Sequence, residues 1–270
     1  MEKRFILPKI IFGVLLFLAA LLAIVPFILM AGTSFTDKQS INFSFNPMEF
    51  HLENYFRIFR NFSIGRNLLN TIIITVSSCI LNCLVSSMAA FAFAKIKFPH
   101  RDKVFLLYIA TMMIPAQVIL IPYFVIVRKI GLYNNFLALI LPIGAFGIFL
   151  IRQFMVNLPD DLLEAAVIDG CNEPQLFFMI VIPLIKAVLI SLTIFTFIGS
   201  WNDFIRPLIV INKEEMQTLT MVISVLKGNY YVNYGLVTAG MTIAFLPPFI
   251  LYLILQKQFV EGIALSGIKV

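Results

Sequence analysis

An all-α membrane protein with six spanning helices is the fold class this sequence predicts, and three observations predict it. Residues AVILMFWYC make up 60% of the 270-residue chain and charged residues only 13%, whereas a soluble domain covers its surface with about 25% charged residues. Mean hydropathy is +0.97. The charges fall between long apolar runs, each near the roughly 20 helical residues that cross a bilayer core of about 30 Å.

The first run, 10–31, follows Lys3, Arg4 and Lys9 and carries no charge. It exceeds the roughly 7–15 apolar residues of a cleaved secretory signal, so it is expected to remain as a helix. Runs 68–94, 104–127, 131–151 and 236–256 supply four more, the last two closed by Arg152 and Lys257. The remaining run is interrupted at Lys186. Its span is expected over about 183–200, with Lys186 snorkelling to the surface. Pro26, Pro115, Pro122, Pro142, Pro247 and Pro248 punctuate these runs; each removes a backbone donor and kinks a helix.

Lys and Arg in the loops set the orientation. With the N-terminus inside, cytoplasmic segments hold eleven of the 20 basic residues, among them Lys95, Lys97, Arg101 and Lys103 packed together. Both termini are therefore expected in the cytoplasm of a multi-pass plasma-membrane protein. The long outside stretches, 33–67 and 201–235, carry Tyr55, Phe56, Phe59, Tyr230, Tyr231 and Tyr234 and are expected at the interface or against an extracellular partner.

Several function classes are excluded. The net charge of +6 is scattered between apolar runs, which suits membrane anchoring and not nucleic-acid binding. Cys79, Cys83 and Cys171 are too few for a disulfide scaffold, and His51 and His100 are too distant to complete a zinc site with them. Cys79 and Cys83 count as small residues of one helix. No Asp, Glu, Arg or His lies mid-span, which argues against an ion-coupled secondary carrier, the alternative reading, and against an intramembrane enzyme. No Gly-Lys dipeptide occurs, so no phosphate-cradling P-loop exists; if ATP drives this protein, another chain hydrolyses it.

Within 68–94, Ser78, Asn82, Ser86, Ala90 and Ala94 form one row and Thr71, Thr75, Cys79, Cys83 and Ser87 the adjacent one. Together they make a small, weakly polar stripe suited to close helix packing. Asn82, near mid-span, is the candidate to border a polar path.

The loop 157–179 reads as two short helices joined by a tight turn. Pro159 suits a first helical position, and Asp160 and Asp161 the positive helix end. Gly170 suits the left-handed stop. Asn172 caps a second helix with Pro174 early in it, ending at Pro183. Ala165 and Ala166 leave one face smooth enough for another protein's groove.

Glu164-Ala165-Ala166, then Asp169-Gly170, then Ile182-Pro183-Leu184 resembles the EAA loop of binding-protein-dependent ABC importer permeases. Gly199-Ser200-Trp201-Asn202-Asp203-Phe204 with Pro207-Leu208, Gln217-Thr218-Leu219-Thr220, Tyr234-Gly235 and Leu246-Pro247-Pro248 resemble the carbohydrate branch, in the manner of its smaller maltose-type subunit. The resemblance runs from about residue 8 to the end; Tyr234 departs from the Trp that the family often carries there.

This resemblance implies a type I importer permease fold. Residues 1–66 would hold the first helix and an extracellular segment, 67–258 the permease core, and 259–270 a cytoplasmic tail. It implies that the loop is a coupling helix, with Glu164, Ala165, Ala166, Asp169, Gly170 and Pro183 as its residues, Glu164 and Asp169 fixing it. Glu261, Gly262 and Gly267 would reach toward the ATPase dimer. The implied partners are a second permease subunit, an ABC ATPase dimer that binds and hydrolyses the ATP, and an extracellular solute-binding protein. No cofactor is implied for this chain and no catalytic residue. Asn82, Thr111, Gln117, Asn202 and Asp203 are the candidates for a sugar's path. Trp201-Asn202-Asp203 could equally be an interfacial anchor. The solute is open between sugars and a non-sugar such as glycerol phosphate.

Overall fold

The computed structural model describes residues 6–36, 50–226 and 233–267. Among them all regular structure is helical. The chain divides into two compact units, Met1–Gly65 with Val222–Leu246, and Arg66–Met221 with Pro247–Val270.

In the first unit, helix α1 (Ile6–Ser34) is apolar on every side and its large side chains are exposed, as expected of a helix solvated by lipid. Its end is tied to α2 (Glu53–Asn61). Asn54 Nδ2 donates to the carbonyls of Ser34 at 3.0 Å and Thr36 at 2.9 Å, and Ser34 Oγ lies 2.7 Å from Tyr55 Oη. Leu52, Phe56 and Phe59 stay exposed, spaced to share one helical face. Tyr230 and Tyr231 lie outside the described residues.

The second unit is built on α3 (Ile64–Lys95), an unbroken rod. The small stripe faces a later helix, α11 (Lys186–Trp201). Cys79 and Cys83 approach Thr193, and Asn82 Nδ2 donates to Thr196 Oγ1 at 2.8 Å. At the other end of the rod, Asn67 and Asn70 donate to the Gln217 carbonyl and Thr71 Oγ1 accepts from the Leu219 amide.

Three expected spans are not continuous helices. The run at 104–127 divides into α4 (Arg101–Ala110) with a 3₁₀ turn (Thr111–Met113), and α5 (Ala116–Lys129), bent by 102°. The cause is local: a proline excludes its predecessor from the helical region, and Ile114, before Pro115, is extended at φ −82°, ψ 119°. The run at 131–151 becomes a single turn, α6 (Leu137–Ile140), and α7 (Ala145–Met155), separated at Pro142. At 11 residues α7 is about 16 Å long, too short to cross alone.

After α8 (Asp160–Ile168) come α9 (Glu173–Gln175), a π turn (Leu176–Val181) and α10 (Ile182–Leu184); α11 (Lys186–Trp201) then leaves at 78°. Short α12 (Ile205–Val210) and α13 (Leu219–Val225) precede α14 (Tyr234–Gly267), which contains Pro247 and Pro248. Among the described residues, three helices are long and apolar enough to cross a membrane, or five if each bent pair is one span, and six continuous spans are not seen.

The core of the second unit joins α3, α4, α7, α8 and α11 through Ala90, Phe105, Ile151, Leu163, Val181 and Leu192. Trp201 belongs inside too. It is 2% exposed and stacked on Phe197 at 5.3 Å, so it is packed in the protein and is not an interfacial anchor.

Candidate functional site

The loop expected to couple is a rigid, outward-facing helix. Pro159, extended at ψ 131°, stands just before α8 as its cap, and Asp160 takes the first helical position expected for Pro159. At the other end Gly170 adopts φ +90°. The Cys171 amide bonds the Ala166 carbonyl and the Gly170 amide the Val167 carbonyl, both at 3.0 Å. These are the paired bonds of a Schellman stop, which needs a left-handed residue at that position. Asn172 follows as a full capping box with Gln175: its Oδ1 accepts the Gln175 amide at 2.9 Å, and its own amide donates to Gln175 Oε1 at 3.0 Å.

Leu163 and Ala166 turn into the core, while Leu162, Glu164, Ala165, Val167, Ile168, Asp169 and Gly170 are exposed. Ile168 is 85% exposed. The smooth outer face expected from Ala165 and Ala166 thus belongs to Ala165 with Leu162 and Ile168. Ala166 is spent on packing, at 7% exposed. A further correction concerns Glu164 and Asp169: among the described residues neither side chain forms a hydrogen bond or ion pair, so neither fixes the loop. Pro183 sits in α10, just before the 78° bend.

Two cations do the fixing instead. Lys95, at the end of α3 with its side chain 8% exposed, donates to the Leu158 carbonyl at 2.7 Å and to Asp160 Oδ1 at 2.6 Å. Arg152, ending α7, reaches the Phe93 carbonyl at 3.2 Å and Asp102 at 3.0 Å, and lies 4.0 Å over the Phe105 ring. The loop is thereby joined to α3, and α7 to α3 and α4.

The hydrogen bond from the Lys95 ammonium, and then its charge, hold the Asp160 carboxyl below its ordinary range. A depressed carboxylate stabilises the fold above its ordinary pKa of about 4 and loses that contribution as pH falls through the lowered value. A spin label placed at Ile168 is therefore expected to report one restricted loop from neutral pH down to about pH 4 and rising mobility below it. In Lys95→Met the mobility should already be high at pH 7; equal spectra for the two proteins would refute the tie.

Asn82 opens on the second feature, a cavity of about 210 Å³. Ser78 and Asn82 of α3, Phe146 and Gly147 of α7, Thr196 and Ser200 of α11, and Arg206 of α12 help to line it. Gly147 permits the approach of α7 to α3: a Cβ there would fall 2.6 Å from Ser86 Oγ and 3.1 Å from Asn82 Oδ1. Of the path candidates, only Asn82 lines this space. Asp203 acts one step away, holding the lining Arg206 at 2.6 Å. Asn202 caps α11 by bonding the Ile198 carbonyl at 3.0 Å. Thr111 bonds the Tyr108 carbonyl at the elbow and Gln117 is exposed beyond it, so neither reaches the cavity. Phe146, Phe195, Ser200 and Arg206 went unnoticed in the sequence; the glycines at 144, 147 and 199 within apolar segments were the available sign. Glu261, Gly262 and Gly267 fall at the end of α14, where side chains lie outside the described residues.

Residues 82–264 match the family described as binding-protein-dependent transport system inner membrane component. The chain is similar to the arabinooligosaccharides transport system permease protein AraQ of Halalkalibacterium halodurans, 32% identical over 93% of this chain and 92% of that one. It is also similar to the lactose transport system permease protein LacG of Rhizobium radiobacter, 33% identical over 97% of each. Its fold is that of a chain in the crystal structure of a bacterial ABC transporter involved in the import of the acidic polysaccharide alginate. The TM-score is 0.84 at 24% identity, covering 96% of this chain and 99% of that one.

Proposed function

The chain belongs to the family of binding-protein-dependent transport system inner membrane components, and from that membership we propose that it is the membrane-spanning subunit of an ATP-driven importer of sugars or oligosaccharides. Members of this family are transport components and not enzymes. The names of the similar proteins, which concern arabinooligosaccharides and lactose, support a sugar as the solute.

The observation that carries the coupling half of the proposal is the outer face of α8. Exposed Leu162, Ala165 and Ile168 stand at a polar, cation-rich end of the second unit. Exposed apolar side chains rimmed by charge mark a protein contact. In this reading a separate ABC ATPase dimer receives α8 in a groove, with Glu164 and Asp169 free to meet it. ATP-driven closure of that dimer moves α8, and Lys95 passes the movement to α3. A second permease subunit completes the gate, and an extracellular solute-binding protein delivers the sugar. Both termini lie in the cytoplasm, with 67–258 as the core, the broken helices completing six crossings, and 259–270 as a tail toward the ATPase.

Tagged protein solubilised gently from native membranes is expected to bring down a second permease and an ATPase containing a P-loop. Ile168→Asp should lose the ATPase and retain the second permease, because a charge replaces the most exposed apolar side chain on the docking face. Recovery of this chain alone, or an undiminished ATPase with Ile168→Asp, would refute the assignment of α8.

A further inference from the structure

We propose that the cavity bounded by α3, α6, α7, α11 and α12 binds one neutral, pyranose-sized sugar ring, so that this chain holds a solute site of its own. The assignment rests on the sugar-import reading above and specifies where in this subunit the ring is held.

Size is the first argument. At about 210 Å³ the space is below the roughly 300–1,000 Å³ of sites for drug-sized ligands; it suits a single ring, the rest of a longer sugar lying outside it. Its volume comes from missing side chains. A Cβ at Gly144 or Gly199, both lining the cavity, would meet nothing within 4 Å. Gly147 differs, since its absent Cβ is already replaced by the contact with Ser86 and Asn82.

The lining chemistry is the second argument. A pyranose offers hydroxyl groups around its edge and a patch of C–H groups on its face. Phe146 and Phe195 stand edge to face, centroids 5.4 Å apart at 84°, and offer aromatic surface for that patch. Ser78 is 8% exposed, and its buried Oγ has no hydrogen-bond partner among the described residues. A buried hydroxyl without a partner is costly; the Oγ has less than 1 Å² of exposed surface, so a ligand hydroxyl relieves it once the side chain turns toward the cavity. Asn82 accepts from Ser86 and spends one amide hydrogen on Thr196, which leaves its second N–H to donate.

Charge selects among sugars. Among the described residues Arg206 is the only charged one in the lining, and Asp203 already neutralises it at 2.6 Å. The site as a whole therefore favours an uncharged ring over a uronate, while the remaining guanidinium N–H groups can still donate to hydroxyls.

The test uses the complete importer containing this chain, reconstituted in proteoliposomes, with uptake of labelled lactose, maltotriose, arabinotriose and a trisaccharide of mannuronate as probes. Gly199→Leu adds bulk at a lining position where a Cβ meets no neighbour within 4 Å, and Ser78→Ala removes one hydroxyl. For the best neutral probe, Gly199→Leu is expected to raise the apparent KM by about tenfold or more, and Ser78→Ala by about threefold. The amount of assembled complex should match wild type, which separates a lost site from a misfolded one. Wild-type KM in both variants would overturn the cavity while leaving sugar import standing. Preference for the mannuronate probe would overturn the neutral ring. Uptake of none of the four by the wild-type importer would overturn the import reading, and the cavity assignment with it.

Discussion

Gly170→Asp is expected to reduce ATP-driven import to about a tenth of wild type or less while the chain still inserts in the membrane. The substitution acts twice. Gly170 sits at φ +90°, where an L-residue costs on the order of 1 kcal/mol, Asp toward the low end. The strain falls on the residue whose amide closes the Schellman stop of α8. The new carboxylate also stands beside Ile168 and Asp169 on the face proposed to enter the ATPase, and an unpaired charge carried into an interface costs roughly 1–3 kcal/mol. Together these exceed the about 1.4 kcal/mol that makes a factor of ten in affinity. Gly170→Ala separates the contributions, since it brings the strain without the charge. Uptake by Gly170→Asp at the wild-type rate would remove α8 from the coupling mechanism.

The second large effect is on stability, at the start of α14. A Cβ at position 235 would fall 2.0 Å from the Thr36 carbonyl oxygen and 2.6 Å from Asn54 Nδ2. The obstacle is backbone, so no rotamer change relieves it. That carbonyl is also where Asn54 donates, and Asn54 Oδ1 is already buried with no partner among the described residues. Gly235→Val must push the segment after α1 away from α2 and break the bonds Asn54 makes. Overpacking of this kind costs about 1–3 kcal/mol, and each buried polar group left unpaired adds about 1–3 kcal/mol. A loss of about 4 kcal/mol corresponds to a melting temperature lower by about 10 °C. Thermal denaturation of the purified protein would show it; a melting temperature within about 2 °C of wild type would mean that the approach at Gly235 is not needed.

The bounds of α8 could be read directly from sequence because they are set by backbone chemistry. Pro159 cannot continue a helix backwards, and Gly170 alone among its neighbours takes the left-handed stop without strain. Which side of α8 faces outward could not be read. Ala165 and Ala166 are identical in type, and only packing against Val181 and Leu163 decides that Ala166 is the buried one. The same limit applies to Glu164 and Asp169, which look like anchoring charges beside the motif, whereas Lys95 from a distant helix does the anchoring. Apolar run length marks where apolar segments lie but says nothing of their continuity. The 102° elbow between α4 and α5 comes from the pairing of Ile114 with Pro115, a constraint on two dihedral angles that hydropathy does not register. Asn82 was visible as the one amide near mid-span in a small, weakly polar stripe. Its companions Ser200 and Arg206 were not, since they reach the cavity only after α11 and α12 have folded back.

The unbroken length of α3 fixes depth. Its 32 residues extend about 48 Å, some 18 Å more than the hydrocarbon layer of about 30 Å, so the helix tilts, protrudes, or does both. Lys95, ion-paired to exposed Asp160, belongs in the headgroup layer. Asn82 lies thirteen residues, about 20 Å, further along the axis, within the middle third of the bilayer. A solute held there is separated from either aqueous compartment by a similar thickness of low-dielectric material.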